Sequence, residues 1–236
     1  MIALLALAVT APVIGGQPES GFPFVGNTYY QGRPDAPFNL AGSCVGVGKF
    51  WVMGVAHASG QRVVLNGQTY TATTTIKHPS ADLALMKVDK PLPSWAEIDF
   101  SAAPSLFGKA VKIVACGVDG RHNGRGGVDI VPNSEGVRRS GMNRILGQTE
   151  RPLTLDGGRQ LLTRVLTYDL QEGEGGQAAR DSGGGWFVQT GREWKLVALC
   201  AYVAPNTSGQ RYGMGSLGMG THLGTYREWI EKTMRQ

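Results

Sequence analysis

The chain has 236 residues, 42% hydrophobic and 17% charged, with 35 glycines, 12 prolines and a formal net charge of +5. This length can bury a substantial core, its apolar content excludes a disordered chain, and its frequent Gly and Pro residues favour many short strands joined by turns. The densest basic cluster (Arg138, Arg139 and Arg144) has no interleaved aromatic residues. We therefore expect a solvated basic surface and no nucleic-acid partner.

The amino-terminal segment begins with an apolar run over residues 2–9. This run is too short for a membrane span, and it has about the length of a signal-peptide core, although the usual basic residues before it are missing. Residues 1–12 are therefore expected to be a signal or pro-segment. The expected protein is exported, either secreted or periplasmic, and has no membrane anchor.

Seven later segments are predicted to be strands, because they are rich in β-branched and aromatic residues and lie between Gly, Asn, Pro or Ser. They are residues 43–55, 61–76, 82–88, 110–116, 161–169, 185–189 and 194–203. Asn66-Gly67 predicts a hairpin within the second segment. Residues 90–108, with three prolines, are expected to link two strand-rich halves. Residues 117–143 are expected to form a long exposed loop.

The only predicted helix lies in the C-terminal stretch THLGTYREWIEKTMRQ, where Thr221 or Thr225 is a candidate N-cap. Four apolar side chains recur there at helical spacing: Tyr226, Trp229, Ile230 and Met234. They predict a face that packs against the second half of the chain, and not a cofactor site.

The three cysteines (Cys44, Cys116 and Cys200) are far apart and lie in apolar runs, and their odd number leaves at least one free. They are expected to be buried small hydrophobic residues. No Cys or His spacing typical of a zinc site occurs, so no metal and no cofactor are expected.

Three residues in the order His, Asp, Ser suit an acyl-transfer reaction. His57 ends an apolar strand in WVMGVAHAS, Asp82 begins one in HPSADLALMKV, and Ser182 lies in the glycine-rich ARDSGGGWF. Each alone has an ordinary explanation: a surface histidine, a turn carboxylate or a serine in a tight turn. Together they supply a nucleophile, a base, and a carboxylate that fixes the tautomer of the base.

These motifs resemble those of the chymotrypsin/trypsin-like serine proteases. The sequence Val13-Ile14-Gly15-Gly16 is similar to the mature amino terminus of that family, GTYREWIEKTM resembles its C-terminal helix, and the few cysteines resemble bacterial members. The resemblance implies two six-stranded antiparallel β-barrels packed face to face, followed by a C-terminal α-helix. Residues 13–95 would form the first barrel, residues 96–236 the second barrel and the helix, and the site would lie between the barrels.

The activity that the resemblance implies is that of a serine endopeptidase acting on a polypeptide substrate. Ser182 would be the nucleophile, His57 the base and Asp82 the carboxylate that orients it. A catalytically inactive homologue that binds a partner through the same cleft is the alternative reading. An esterase or other acyltransferase on the same scaffold is a third.

Arg180 is a departure from the family pattern. The resemblance implies an oxyanion hole made by the backbone N–H groups of Arg180 and Ser182, and the first of these positions is usually glycine. The backbone there is awkward for a residue with a Cβ, and a flipped peptide would present a carbonyl where a donor is needed. The sequence leaves open slow catalysis, an inactive homologue, or an Arg180 side chain near the substrate.

The resemblance also implies a substrate pocket and an activation contact. The pocket positions are Gly176, Gln177, Ala201, Tyr202, Val203 and Gly218. None of them is acidic, and Val203 stands where glycine would leave room, so a small or medium apolar substrate side chain is expected. Residues 201–203 are expected to pair with the substrate backbone. A freed Val13 amine would pair with Asp181, although Pro12 makes a poor cleavage site, and the alternative is that Asp181 only caps its turn.

Overall fold

The computed structural model describes residues 13–154 and 160–236, so the expected signal or pro-segment at residues 1–12 lies outside the described residues. The described chain is mostly β-structure and has one α-helix, near the C-terminus. The predicted all-β class is therefore confirmed. Across these two ranges every helix is too short or too polar to cross a membrane.

The first half contains a closed barrel. The first seven strands are β1 (Gln17–Pro18), β2 (Val25–Tyr30), β3 (Asn39–Gly48), β4 (Trp51–Gly54), β5 (Arg62–Leu65), β6 (Gln68–Lys77) and β7 (Ala84–Val88). Strands β2 to β7 close into an antiparallel barrel in the order β2-β3-β4-β7-β6-β5. The predicted hairpin is confirmed between β5 and β6, where Asn66 and Gly67 both have positive φ, as a two-residue hairpin turn requires.

The second half contains nine strands: β8 (Ala110–Ala115), β9 (Asp119–His122), β10 (Val128–Val131), β11 (Arg139–Arg144), β12 (Gly147–Thr154), β13 (Gln160–Asp169), β14 (Gly185–Thr190), β15 (Glu193–Ala204) and β16 (Leu217–His222). Seven of them join β1 in an eight-stranded antiparallel sheet. The sheet order is β1-β11-β8-β14-β15-β16-β13-β12. Its edge strands β1 and β12 do not pair with each other within the described residues, so the sheet is open.

The segment at 117–143, expected to be an exposed loop, contains three strands. β9 and β10 pair as a separate two-stranded ribbon, and β11 joins the main sheet. The prediction of a loop was wrong because β10 is largely solvent-facing, so its side chains do not alternate clearly between apolar and polar. Two aliphatic side chains of this ribbon, on Val128 and Ile130, approach Gly120 across it.

The C-terminal helix α1 (Arg227–Met234) follows a 3₁₀ turn over Leu223–Tyr226. Its N-cap residue is Tyr226, which makes no side-chain capping bond, so neither predicted threonine cap is found. Tyr226 and Ile230 are buried in a cluster that contains residues of both halves. The helix therefore packs against the barrel as well as the sheet.

All three cysteines are free and buried, as expected. Burial raises the pKa of each thiol, so the three side chains are neutral and behave as small apolar residues.

Candidate functional site

The three candidate catalytic residues meet where the barrel faces the sheet. His57 lies in a 3₁₀ turn, Ala56–Ala58, that directly follows β4. Asp82 lies two residues before β7, and Ser182 lies in the turn before β14. Each side chain thus stands beside a strand end, where a rigid framework holds a short irregular segment.

The three side chains form a continuous hydrogen-bonded chain. His57 Nδ1 lies 2.6 Å from Asp82 Oδ2, and His57 Nε2 lies 3.0 Å from Ser182 Oγ. The His57 side chain is 29% exposed, whereas that of Asp82 is completely buried. With Asp82 ionised, Nδ1 carries the proton and Nε2 is left to accept the proton of the serine hydroxyl.

Asp82 is held from both halves of the molecule. The backbone N–H of His57 donates to Oδ1 at 3.0 Å, so the carboxylate is tied to the histidine turn twice. The Asp82 backbone N–H donates to Thr163 Oγ1 on β13 at 2.7 Å, and Thr221 Oγ1 on β16 donates to the Asp82 carbonyl at 3.1 Å. The two bonds from His57 satisfy the buried carboxylate, and the two threonine bonds to the Asp82 backbone fix the barrel against the sheet at the site.

Tyr202 adds a further hydrogen bond that the sequence did not reveal. Its hydroxyl donates to Asp82 Oδ2 at 2.8 Å, and its ring stacks on the His57 imidazole with centroids 5.9 Å apart. Burial and the Asp82 charge both raise the pKa of Tyr202, so its hydroxyl stays protonated and able to donate. From the sequence, Tyr202 was expected only to pair with the substrate backbone. Its side-chain contact with Asp82 was missed, because the register of β15 is irregular between Cys200 and Tyr202 and this irregularity has no sequence signal.

The turn that carries Ser182 is packed tightly on β3. The Ser43 backbone N–H donates to the Ser182 carbonyl at 2.8 Å. Gly183 follows with φ 91°, and a Cβ built there would lie 2.2 Å from the Ser43 carbonyl oxygen. Only glycine fits this position, and its close approach seats the serine against the barrel.

Arg180 adopts φ 69°, the left-handed conformation that glycine favours. The Ala179 carbonyl accepts a hydrogen bond from the Val118 N–H at 2.9 Å. Because a trans peptide points its C=O and N–H in opposite directions, the Arg180 N–H faces away from Val118. The flipped peptide that the sequence left open, with this carbonyl directed into the site, is therefore not found.

The N–H groups of Arg180 and Ser182 are both left without a protein acceptor among the described residues. The Asp181 carbonyl accepts from the Gly184 N–H at 2.8 Å. Because this carbonyl and the Ser182 N–H belong to one trans peptide, the Ser182 N–H points away from Gly184. Two unpaired donors close to a hydroxyl are the groups that would stabilise an oxyanion if that hydroxyl attacked a carbonyl.

Asp181 is a fully buried carboxylate beneath this turn. It accepts from the Ala178 N–H at 2.7 Å and from the Gly117 N–H at 2.9 Å. Burial nevertheless raises its pKa to about 7, because these N–H groups and Arg139 only partly offset the loss of solvation. Among the described residues no cation lies within 4 Å of it.

Val13 is completely buried. The next residue, Ile14, pairs with Gly176 through two hydrogen bonds, Ile14 N–H to the Gly176 carbonyl at 2.6 Å and Gly176 N–H to the Ile14 carbonyl at 3.0 Å. The start of the described chain is thereby inserted beside the residues that precede Ser182.

A cavity of about 270 Å³ opens beside Ser182. Its walls come from the turn that carries Ser182, from β15, and from three segments distant in sequence. The lining residues are His57, Arg151, Gln177, Ala178, Ala179, Arg180, Ser182, Cys200, Ala201, Tyr202, Val203, Arg211 and Tyr212. Four of the predicted pocket residues are among them. Six lining residues were not predicted as part of the site, and three of these have large polar side chains: Arg151, Arg211 and Tyr212.

The other two predicted pocket residues, Gly176 and Gly218, do not line this cavity. A Cβ on Gly218 would lie 2.0 Å from the ring of the buried Tyr168, and one on Gly176 would lie 2.8 Å from Leu170. The Gln177 side chain is also engaged, since it donates to the Tyr202 and Met219 carbonyls and accepts from Trp186. Tyr168 therefore occupies the space beside Gly218, and the Gln177 side chain is held by three hydrogen bonds at the cavity wall.

A scan of the chain against protein-family models finds no match, and a search of curated proteins finds none either. The chemistry of the site therefore has to be read from its own geometry. That geometry combines a hydroxyl, an imidazole hydrogen-bonded to a buried carboxylate, and two N–H donors that lack an acceptor in the described ranges, all beside one cavity.

Proposed function

We propose that this protein is a serine endopeptidase of the chymotrypsin/trypsin-like kind, which cleaves polypeptides through an acyl-enzyme intermediate. The observation that carries the proposal is the continuous chain from buried Asp82 through His57 to Ser182, with contacts of 2.6 and 3.0 Å. Hydrogen-bond contacts of this length between carboxylate, imidazole and hydroxyl are those that activate a serine nucleophile.

The proposed reaction begins when Ser182 Oγ attacks the scissile carbonyl carbon and its proton passes to His57 Nε2. Asp82, which stays ionised, stabilises the imidazolium that forms. The imidazolium then protonates the leaving amine, which departs and leaves an ester on Ser182. Water, deprotonated by His57, hydrolyses this ester and restores the free serine.

The oxyanion formed in each half-reaction would lie between the N–H groups of Arg180 and Ser182. Both donors are unpaired among the described residues and border the cavity beside the nucleophile. Losing one such donor costs on the order of 10²–10³ in rate. The orientation of the Arg180 peptide therefore favours an active enzyme over the inactive homologue.

The proposal extends to the fold, to activation and to location. The closed barrel would be the first of two, and the open eight-stranded sheet would be the counterpart of the second. Cleavage before Val13 would free an amine to pair with buried Asp181, which lacks a cationic partner among the described residues. The apolar run at residues 2–9 supports export to the periplasm or the medium.

The test is covalent labelling with a fluorophosphonate, which reacts with activated serines, followed by mass spectrometry of the modified peptide. We expect one adduct on Ser182 and none on the Ser182→Ala variant, which should keep the wild-type circular dichroism. Ser59→Ala is the matched control, because Ser59 lies outside the triad and its hydroxyl donates to the Ala56 carbonyl in its own turn. Wild-type protein that stays unlabelled, or an Ser182→Ala variant that still turns over peptides, would refute the assignment.

A further inference from the structure

The cavity beside Ser182 is lined by three arginines, Arg151, Arg180 and Arg211, and by no Asp or Glu of the described residues. None of the three forms a salt bridge with a carboxylate within 4 Å in the described part of the chain. All three are exposed residues, so an anionic group that enters the cavity meets positive charges that dissolved salt partly screens.

The three guanidinium groups come from separate segments. Arg151 lies on β12 with its guanidinium carbon 5.8 Å from the centre of the Tyr202 ring. Arg180 lies in the nucleophile turn, and Arg211 lies in the loop between β15 and β16. Burial raises the pKa of Tyr212, and the charge of the neighbouring Arg211 opposes that rise.

The loop that carries Arg211 is held by its own hydrogen bonds. Asn206 accepts from the Ser208 and Gln210 N–H groups and donates to the Met214 carbonyl at 2.9 Å. Ser216 Oγ donates to the Gln210 carbonyl at 2.9 Å, immediately before Arg211. Tyr212, immediately after it, packs on a buried cluster around Ile14. The backbone on both sides of Arg211 is thus fixed relative to the cavity.

The position of the cavity identifies which part of a substrate would enter it. It lies between the turn that carries Ser182 and the edge formed by Ala201, Tyr202 and Val203. When a substrate carbonyl is bonded to Ser182, the side chain on the residue that bears this carbonyl is the one closest to the cavity. Arginine binds carboxylates through paired hydrogen bonds, so an acidic side chain fits this lining best.

We propose that the site selects peptides with Glu or Asp immediately before the scissile bond, and that Arg211 is the main residue that binds this carboxylate. The cleavage part of this inference rests on the proposed function, whereas the binding of an acidic side chain does not. It replaces the apolar preference expected from sequence positions, because Arg151 and Arg211 belong to segments that no motif assigned to the site.

The test separates recognition from catalysis. Binding of fluorescent peptides that differ only by Glu or Gln before the scissile bond is measured by anisotropy on the Ser182→Ala variant, and cleavage of the same pair is measured on the wild type. We expect the Glu peptide to bind and to be cleaved at least about tenfold better than the Gln peptide, a factor equal to roughly 1.4 kcal/mol. Raising the salt concentration should reduce the ratio, because the attraction is between charges.

The variants Arg211→Gln and Arg211→Lys are compared with Arg192→Gln, which removes an equal charge from the exposed turn between β14 and β15. Arg211→Gln should bring the Glu/Gln ratio close to one while Ser182 is still labelled by fluorophosphonate, which shows that the site is folded. Arg211→Lys should keep part of the ratio, and Arg192→Gln all of it.

Equal binding of the two peptides, or a ratio that persists in Arg211→Gln, would overturn the inference. Selective binding of the Glu peptide by a protein that fluorophosphonate does not label would support the inference and refute the proposed hydrolysis instead.

Discussion

The Tyr202 hydroxyl donates a hydrogen bond of 2.8 Å to the buried carboxylate of Asp82, on the same oxygen, Oδ2, that contacts His57 Nδ1. Its ring also lies against the imidazole at an angle of 25°. One side chain of β15 therefore restrains both the carboxylate and the base. In the proposed enzyme Tyr202 acts as a positioning residue, because it contacts the triad and not the reacting atoms.

Tyr202→Phe is expected to lower kcat about tenfold and to leave KM nearly unchanged. The variant keeps the stacked ring and the backbone of β15 but loses a hydrogen bond to a charged group, which is worth about 1.5–3 kcal/mol. Steady-state cleavage of a peptide substrate measures the effect. The matched control is Tyr70→Phe, which loses a hydroxyl bonded to Gln68 in the barrel hairpin and should retain the wild-type rate. A Tyr202→Phe enzyme with unchanged kcat would show that the hydroxyl is only structural.

Asp82→Asn is expected to lower kcat by about 10⁴ with the fold retained. The His57 backbone N–H requires an oxygen at Oδ1, so the amide NH₂ would take the place of Oδ2 and face Nδ1. The proton of the imidazole then moves to Nε2, which can no longer accept from Ser182. Single-turnover acylation and thermal unfolding together measure this. Asp89→Asn, in the barrel, makes the same chemical change and should leave the acylation rate intact; a small loss in Asp82→Asn would contradict the assigned tautomer.

Arg180→Gly is expected to stabilise the protein by about 1 kcal/mol, because Arg180 has φ 69° and a left-handed residue with a Cβ costs roughly 1–2 kcal/mol. Urea unfolding measures the gain. Labelling of Ser182 by an uncharged fluorophosphonate should stay within about twofold of wild type, since the N–H donor is kept. Gly183→Ala should do the opposite and destabilise the fold, because its Cβ would meet the Ser43 carbonyl. Loss of labelling in Arg180→Gly would mean that the arginine side chain shapes the site.

Asp181 is expected to make stability depend on pH. Burial raises the pKa of its carboxyl from 3.8 to about 7, so between these values the folded protein holds a proton that the unfolded chain has lost. The contribution of Asp181 to stability is therefore fully present below pH 3.8, falls as the pH rises to about 7, and is constant above that. Unfolding free energies of wild type and Asp181→Asn between pH 4 and 8 measure it: the wild type should lose stability relative to the variant as pH rises, and a constant difference would refute the shift.

A chain that begins at Val13 provides the matched comparison for this dependence. Its free amine would be a cation near Asp181, which favours the charged carboxylate and lowers its pKa. The pH dependence should then weaken, and labelling of Ser182 should become faster. The same chain with an acetylated Val13 should behave like the longer one, so equal labelling of the free and acetylated forms would rule out the activation contact.

The local sequence was informative wherever a short stretch determines its own conformation. Asn66-Gly67 predicted a hairpin turn because few residue pairs accept two positive φ angles. His57, Asp82 and Ser182 were identified because each lies at one end of an apolar run or in a glycine-rich bend. Functional side chains often lie at such positions, on short irregular segments beside strands. Helix α1 was predicted from its spacing, but its cap was not, since Thr221 belongs to β16.

Sequence alone therefore determined the all-β class, the hairpin, the terminal helix and the three residues of the candidate triad. Only the tertiary structure decided that the second sheet is open, that Tyr202 reaches Asp82, that Arg180 keeps its N–H free, and that Arg151 and Arg211 line the cavity. The physical reason is that pattern and propensity act over a few neighbouring residues. Contacts such as Tyr202 with Asp82, 120 residues apart, depend on how strands register, bulge and pack against each other.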